Sequence, residues 1–270
     1  MVKVPVYNLD GSVAKEVDLP DVFFTPFRPD IIHRAYVALS SHSIQPQGRD
    51  PYAGMKTSAS TYNPPTGYGI SRVPRVQGER HPRAGQAAGI AGVVKGRQAH
   101  PPRSEKKVRK EINKKERLLA TASAIAASSN RELIMLRGHK VDKVPNIPLV
   151  LSDEIQSLSK TKDLISVFKK FGLDEEINRV IGKIKTLSGK PRMRGRTKRK
   201  AKGPLIVIAE DKGLRKAAKN LPGVDCILAR DLSVLHLAPG SHPGRLVLWT
   251  ESALKSLNKP LIEVVKRFAS

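Results

Sequence analysis

The chain has 270 residues, enough for one large domain or two small ones. Its 49 Lys and Arg against 24 Asp and Glu leave a net charge of +25, which points to a polyanionic partner and away from an ordinary small-molecule enzyme. No apolar run approaches the roughly 18 residues of a spanning helix, and no secretory signal opens the chain, so no membrane partner is expected.

Residues 1–44 are near neutral, with four basic and five acidic side chains. Val2, Val4 and Val6 alternate, Asp10-Gly11 follows, and Val13, Val17 and Leu19 resume the pattern. An Asp-Gly step between alternating runs predicts a β-hairpin. Pro29-Asp30 then opens a helix with Ile32, Tyr36 and Leu39 on one face, ending near Ser40–Ser43.

From Gln45 to Ser104 the periodicity stops. Eight prolines and nine glycines punctuate this stretch and large apolar residues are sparse, so it cannot bury enough surface to offset its own ordering entropy. It carries nine basic and two acidic residues, so either it is disordered or an outside partner orders it. Within it, Tyr62 to Gly89 uses arginine alone as its cation: Arg72, Arg75, Arg80 and Arg83. Arginine offers a planar fork for phosphates and base edges and stacks on bases. In SRVPR an extended three-residue repeat would put Arg72 and Arg75 on one face, and ERHPR repeats the spacing with Arg80 and Arg83. Tyr62 and Tyr68 can stack on unpaired bases, and the glycines allow close backbone approach.

Ser104 is placed to cap a helix running from Glu105 to Ser128, basic in its first half and Ala-rich in its second, with Val108, Ile112, Leu119, Ala122 and Ala126 as a stripe. Asn130 allows a break and a short helix to Gly138. Leu149–Leu151 reads as a strand, with Ser152, Thr161 and Asp174 capping helices that reach about Lys185. Residues 189–204 hold eight basic side chains and no acid, a blunt polyanion signal. In the last third PLIVIAE, VDCILA, VLHLA and RLVLW read as four strands, with DKGLRKAAKNL, ESALKSL and PLIEVVKRF as helices. Continuous apolar runs alternating with helices predict an α/β fold: a Rossmann-like, mostly parallel sheet flanked by helices, with a long extended internal loop. The expected organisation is one globular α/β body, residues 1–44 and 105–270, carrying an extended loop over 45–104.

Such a body invites an enzyme reading, and the motifs do not support it. GxxxxGK[ST] is absent, and no GxGxxG follows a strand into a helix. Gly67-Tyr68-Gly69 reads as backbone flexibility. The histidines are scattered without metal-ligand spacing, so neither a metal nor a cofactor is expected. His236 reads as a satisfied sheet residue. Ser241-His242 lacks the strand–turn–helix setting of a nucleophile. Cys226, alone of its type, sits in VDCILA and reads as a small buried hydrophobe.

GISRVPRVQGERHPR, GRQAHPPRSEKKVRKE, GKPRMRGR, IVIAEDKGL, LAPGSHPGRLVLWTESAL and the hairpin start VYNLDGS together resemble the large-subunit ribosomal protein L4 (uL4) family of archaea, over essentially the whole chain. The lack of a long C-terminal extension, present in eukaryotic relatives, favours an archaeal source. The resemblance implies a non-catalytic component of the cytoplasmic large ribosomal subunit. Its partners would be 23S-type rRNA, other large-subunit ribosomal proteins and, transiently, the nascent peptide. It implies that the 45–104 excursion runs inward to line the exit tunnel, with Gly67, Tyr68, Gly69, Ile70 and Arg72 at the wall. Tyr68 stands where family members often carry a second basic residue. The candidate rRNA-binding residues are Arg49, Lys56, Arg72, Arg75, Arg80, Arg83, Lys95, Arg97 and Arg103 in the loop. Lys106, Lys107, Arg109 and Lys110 follow it. Lys190, Arg192, Arg194, Arg196, Lys198, Arg199 and Lys200 form the late basic segment. The alternatives are an RNA-modifying enzyme with a Rossmann-like domain and a free regulatory RNA-binding protein.

Overall fold

The computed structural model of the chain describes residues 2–61, 63–257 and 261. It divides into two compact units: residues up to Ser41 together with those from Lys110 onward, and the segment His42–Arg109.

The first unit opens with a hairpin, β1 (Lys3–Tyr7) and β2 (Val13–Asp18). Gly11 takes a φ of +89° in its turn, a conformation that favours glycine, which is why Asp10-Gly11 was legible as a reversal. A 3-10 turn at Asp21–Phe24 leads to α1 (Pro29–Ser41), which buries Ile32, Ala35 and Ala38. In the second unit β3 (Ala59–Thr61) pairs antiparallel with β4 (Pro74–Val76). That hairpin was not expected of a segment without periodicity.

Beyond Lys110 the expected helix from Glu105 does not form until α2 (Lys114–Ala127), and Ser104 caps nothing. Lys106 and Lys110 would face each other one turn apart, where like charges repel. The helix forms where it gains a packed face: every residue from Ala120 to Ala127 is buried. Asn130 Oδ1 then accepts the amides of Glu132 and Leu133 and starts α3 (Arg131–Leu136), as its N-cap role predicts. β5 (Leu149–Leu151), α4 (Thr161–Lys170) and α5 (Asp174–Gly182) follow. Thr161 and Asp174 are the first residues of their helices rather than caps, and Ser152 precedes a 3-10 turn without capping it by its side chain.

Next come β6 (Lys185–Thr186), α6 (Lys190–Met193) and β7 (Lys198–Arg199), a basic strap whose two short strands pair antiparallel. β8 (Leu205–Ile208), α7 (Leu214–Lys219) and β9 (Asp225–Leu228) follow. VLHLA, expected as a strand, is a helical turn, α8 (Val234–Leu237). His236 therefore sits on a helix, its Nδ1 3.0 Å from Ser233 Oγ. Four apolar residues between a serine and a proline fit one helical turn as well as one strand. β10 (Val247–Thr250) and α9 (Glu251–Lys255) are the last elements among the described residues; the expected helix in PLIEVVKRF lies, apart from Leu261, outside them.

Among the described residues the main sheet has six strands in the order β2-β1-β5-β10-β8-β9, antiparallel only at β1–β2. The fold is thus mixed α/β with a mostly parallel sheet flanked by helices. Successive strand residues point to opposite faces, so a strand buried on both sides must be apolar throughout. Leu205, Val207, Val247 and Trp249 pack with α1, α2 and α8 on one face. Ile206, Ile208 and Leu248 pack with α4, α5 and α7 on the other. Trp249 is fully buried and meets Phe23 edge-on, with ring centroids 5.5 Å apart. Trp249→Ala should cost about 3–5 kcal/mol. Urea unfolding followed by far-UV circular dichroism tests this, since the substitution removes the chain's one tryptophan; an unchanged midpoint would contradict the central packing role.

Candidate nucleic-acid interface

The strap is an exposed basic surface of the first unit. Lys190, Arg192, Arg194, Arg196, Lys198, Arg199 and Lys200 are all solvent-exposed. Its returning end is held by four bonds. Arg179 Nη2 donates to the Lys202 carbonyl (2.9 Å), Lys202 Nζ pairs with Asp225 (3.1 Å), the Gly203 amide donates to the Gly223 carbonyl (2.9 Å), and Arg245 Nε donates to the Gly203 carbonyl (2.9 Å). Arg245 is 1% exposed. Its guanidinium also donates to the His236 carbonyl and to Asp225 Oδ2, at 2.9 and 2.6 Å. A buried cation is tolerable only with this degree of hydrogen bonding. Burial still pulls its pKa down, against the pull of Asp225.

Beneath the strap lies a second buried charge cluster. Glu176 is fully buried. It accepts from His139 Nδ1 (2.6 Å), from Arg179 Nε and Nη2 (2.7 and 2.6 Å) and from the Lys140 amide (3.0 Å). Burial opposes its charge, but the bonds from Arg179 and His139 prevail and hold the carboxyl at about 2. His139 is shifted below its ordinary value, chiefly by burial and against the pull of Glu176. It is therefore neutral at pH 7, with Nδ1–H toward Glu176.

In the second unit the sequence's arginines divide into two groups. Arg75 donates to the carbonyls of Gly85 (2.9 Å) and Ser71 (3.3 Å), and Arg83 to the Val94 carbonyl (2.7 Å) and to Gln86 (3.3 Å). Both are half-buried and brace the segment itself, so Arg72 and Arg75 do not play equal parts on one face. Arg72, Arg80, Lys95, Arg97 and Arg103 are exposed, as are Lys106, Lys107 and Arg109 beyond them. Lys110 is exposed too, and its amide donates to Ser41 Oγ in the first unit. Arg49 donates to Gln98 (2.8 Å), and Lys56 pairs with Asp50 (2.5 Å). The turn joining β3 to β4 holds Gly67, Tyr68, Gly69, Ile70 and Arg72. Gly67 and Gly69 have φ of +101° and +68° with open space around them, and Tyr68 and Ile70 present apolar surface to solvent. Arg72 Nη2 lies 3.3 Å from Thr66 Oγ1. Tyr62 lies outside the described residues.

Among the described residues of this unit the buried apolar side chains are few: Pro64, Val76 and Ala88. Backbone bonds take over the holding: Val76 N to Gln86 O, Gly85 N to Val76 O, and Ala88 N to Pro74 O. The two limbs touch at Gly54, whose φ is +86° and whose added Cβ would lie 2.5 Å from the Gly96 carbonyl carbon. A glycine-rich composition suits this construction: the close approach expected of the glycines is, at Gly54, an approach to the chain's own backbone.

The crevice at the carboxyl ends of the parallel strands, where doubly wound sheets hold ligands, is filled by the chain's own side chains. Gln156 Nε2 donates to Asp153, Ser252 and Thr250 (3.0, 2.8 and 3.4 Å), while its Oε1 accepts the Glu210 amide (3.1 Å). Cys226 is buried and pushed up to about 12 by burial, so it is no nucleophile. Ser241 is 2.7 Å from His33 Nδ1, not from its neighbour His242.

Fold and surface together define an α/β protein whose sheet crevice is plugged by its own side chains and whose strap and second unit expose cations. The profile of the ribosomal protein L4/L1 family matches residues 17–260, and the chain belongs to that family, one of structural rather than catalytic proteins. It is 48% identical to the large ribosomal subunit protein uL4 of Methanococcus aeolicus, over 95% of this chain and 99% of that one. It is 44% identical to that of Methanopyrus kandleri over 97% and 100%, and 45% identical to that of Methanocaldococcus jannaschii over 95% and 98%. The RNA-modifying-enzyme alternative falls with this result.

Two outcomes follow. Stability should fall as pH drops from 7. Unfolded His139 takes up its proton near 6.5 and the folded residue only below that, while the Glu176 contribution is present above 4.5 and is lost toward about 2. Glu176→Gln should cost about 3 kcal/mol at neutral pH and flatten the acid limb below pH 4.5, read by urea unfolding across pH; an unaltered limb would refute the assignment. Gly54→Ala should speed amide exchange over 50–55 and 96–98 and leave β8 and β10 protected; equal protection would mean that the limbs do not depend on their contact.

Proposed function

We propose that the chain is a structural constituent of the large ribosomal subunit that binds 23S-type rRNA. The observation that carries this reading is the near-full-length similarity to archaeal proteins named for that subunit. It acts in the cytoplasm, among rRNA and other large-subunit proteins, with no reaction of its own. In finer detail, a Rossmann-like body formed by residues 1–44 and 105–270 carries a long extended loop over 45–104. The exposed cations of the strap and the loop neutralise phosphates. Gly67, Tyr68, Gly69, Ile70 and Arg72 line the exit tunnel and meet the nascent peptide transiently. The loop's small core supports an RNA-ordered state, because a segment that buries so little apolar surface gains its order from a partner. Such a loop has to be threaded before the RNA closes around it, which places the protein early in subunit assembly.

Sedimentation of tagged protein from lysate through a sucrose gradient tests the reading. Co-migration with the large subunit at high salt is expected; a mostly free pool would favour a regulatory RNA-binding protein instead. Lys198→Ala with Lys200→Ala should lower the salt slope of rRNA affinity by about 0.7–0.9 for each phosphate contact removed. An unchanged slope would take the strap out of the interface.

A further inference from the structure

At the foot of the strap the first unit holds a half-open cavity of about 690 Å³, within the range of roughly 300–1,000 Å³ typical of small-molecule sites. Phe27, Leu133, Leu136 and Pro243 form an apolar wall. Phe27 and Leu136 are 42% and 84% exposed, large apolar groups left uncovered among the described residues. Around this wall stand Arg137, Lys183 and Lys202, and no carboxylate lines the cavity among the described residues. Lys183 and Lys202 are the points where the strap leaves the body and returns to it. Arg137 is anchored through the Pro239 carbonyl (2.8 Å). Its pKa is lowered to about 10, first by burial and then by the nearby charges of Arg245 and Arg179. Arg179 is tied to Glu176 and Lys202 to Asp225, which leaves Arg137 and Lys183 as the lining cations without a carboxylate partner among the described residues.

A separate feature adjoins the same cavity. The His139 side chain is 1% exposed and lines it. Its Nδ1 is engaged by Glu176, which is itself fully occupied, whereas its Nε2 is buried without a hydrogen-bond partner among the described residues. With Nδ1–H directed at the carboxylate, Nε2 is a fixed acceptor, and an unmet buried acceptor calls for a donor.

We propose that this cavity receives a single unstacked nucleotide of the RNA whose backbone follows the strap. The base lies on the wall formed by Phe27 and Leu136. Its phosphate sits between Lys183 and Lys202, and a ribose hydroxyl or exocyclic amine donates to His139 Nε2. RNA is recognised through such splayed-out bases, stacked on apolar and aromatic side chains and read at their polar edges. An acidic peptide would satisfy the cations but leaves the flat apolar wall and the single acceptor without a matching group. The proposal rests on the rRNA-binding reading and adds to it a site on the body, distinct from the loop and from the strap's own phosphate contacts.

The test places a photoreactive benzophenone side chain at position 136 of the full chain, and in a parallel strain at Met193, which is 83% exposed on the strap. Large subunits are isolated, irradiated and digested with nuclease and protease, and the adducts are weighed and sequenced. The expected result is a nucleotide adduct at position 136 that maps to one rRNA position, with its yield reduced about tenfold by Phe27→Ala, the scale of one lost base stack. Adducts to another protein alone, or none at position 136, overturn the pocket. RNA adducts at Met193 in that case leave the rRNA-binding reading standing. Failure of the chain to sediment with the subunit, with no RNA adduct at either position, removes both.

Discussion

A net charge of +25 repels itself, and the fold depends on keeping that charge outside two packed layers. The body's buried or half-buried acids are used as internal ties. Glu176 holds His139, Arg179 and the Lys140 amide; Asp225 holds Arg245 and Lys202; Glu251 holds Lys15 and Lys255. The strap has no acid at all, so its cations remain available to an outside polyanion. Arg245 is the exception that joins the two regimes. It is buried, its charge is shared among carbonyl dipoles and Asp225, and its bond to Gly203 fixes the strap's end where β8 begins. A lysine there would bring a single point charge where a planar fork reaches several acceptors.

Much of the body was legible because burial on both faces leaves an unmistakable mark. LIVI and VLWT bury every residue, and only a covered, mostly parallel sheet asks for that. VLHL was misassigned because its four residues carry too short a pattern to separate period 2 from period 3.6, and its contacts with α1 and α2 decide the outcome. The start of α2 was placed too early because helix propensity runs on through EKKVRKEINKK while tertiary support does not. Strand order was beyond sequence reasoning: β10 enters between β5 and β8, and no local signal encodes an insertion of that kind.

The cationic surface was legible in outline and not in its division of labour. Composition marked Arg72, Arg75, Arg80 and Arg83 alike, yet Arg75 and Arg83 turn inward to loop carbonyls. The cause is the β3–β4 pairing and the turn after it, which expose carbonyls such as Gly85 O and Val94 O that need donors. Three-residue strands joined by a long turn have no periodicity to detect. The His139–Glu176–Arg179 cluster escaped notice for a related reason: Glu176 and Arg179 are neighbours on α5, but His139 lies 37 residues away and the three belong to no motif.

The plugged crevice at the strands' carboxyl ends explains why the proposed binding chemistry lies at the periphery of this fold. Gln156 reaches the loops after β5, β8 and β10 at once, through Asp153, the Glu210 amide and the Ser252 and Thr250 hydroxyls. To admit a ligand there, these bonds would have to be replaced one for one, since each buried group left unmet costs about 1–3 kcal/mol. A phosphate faces the opposite balance on the strap, where exposed cations give up only water and counterions. The same sheet that offers a small-molecule site in other chains here serves as a rigid platform. From it the strap projects with fixed ends, and under the proposed function such a rigid mount would let a positive surface select the shape of an RNA rather than merely attract it.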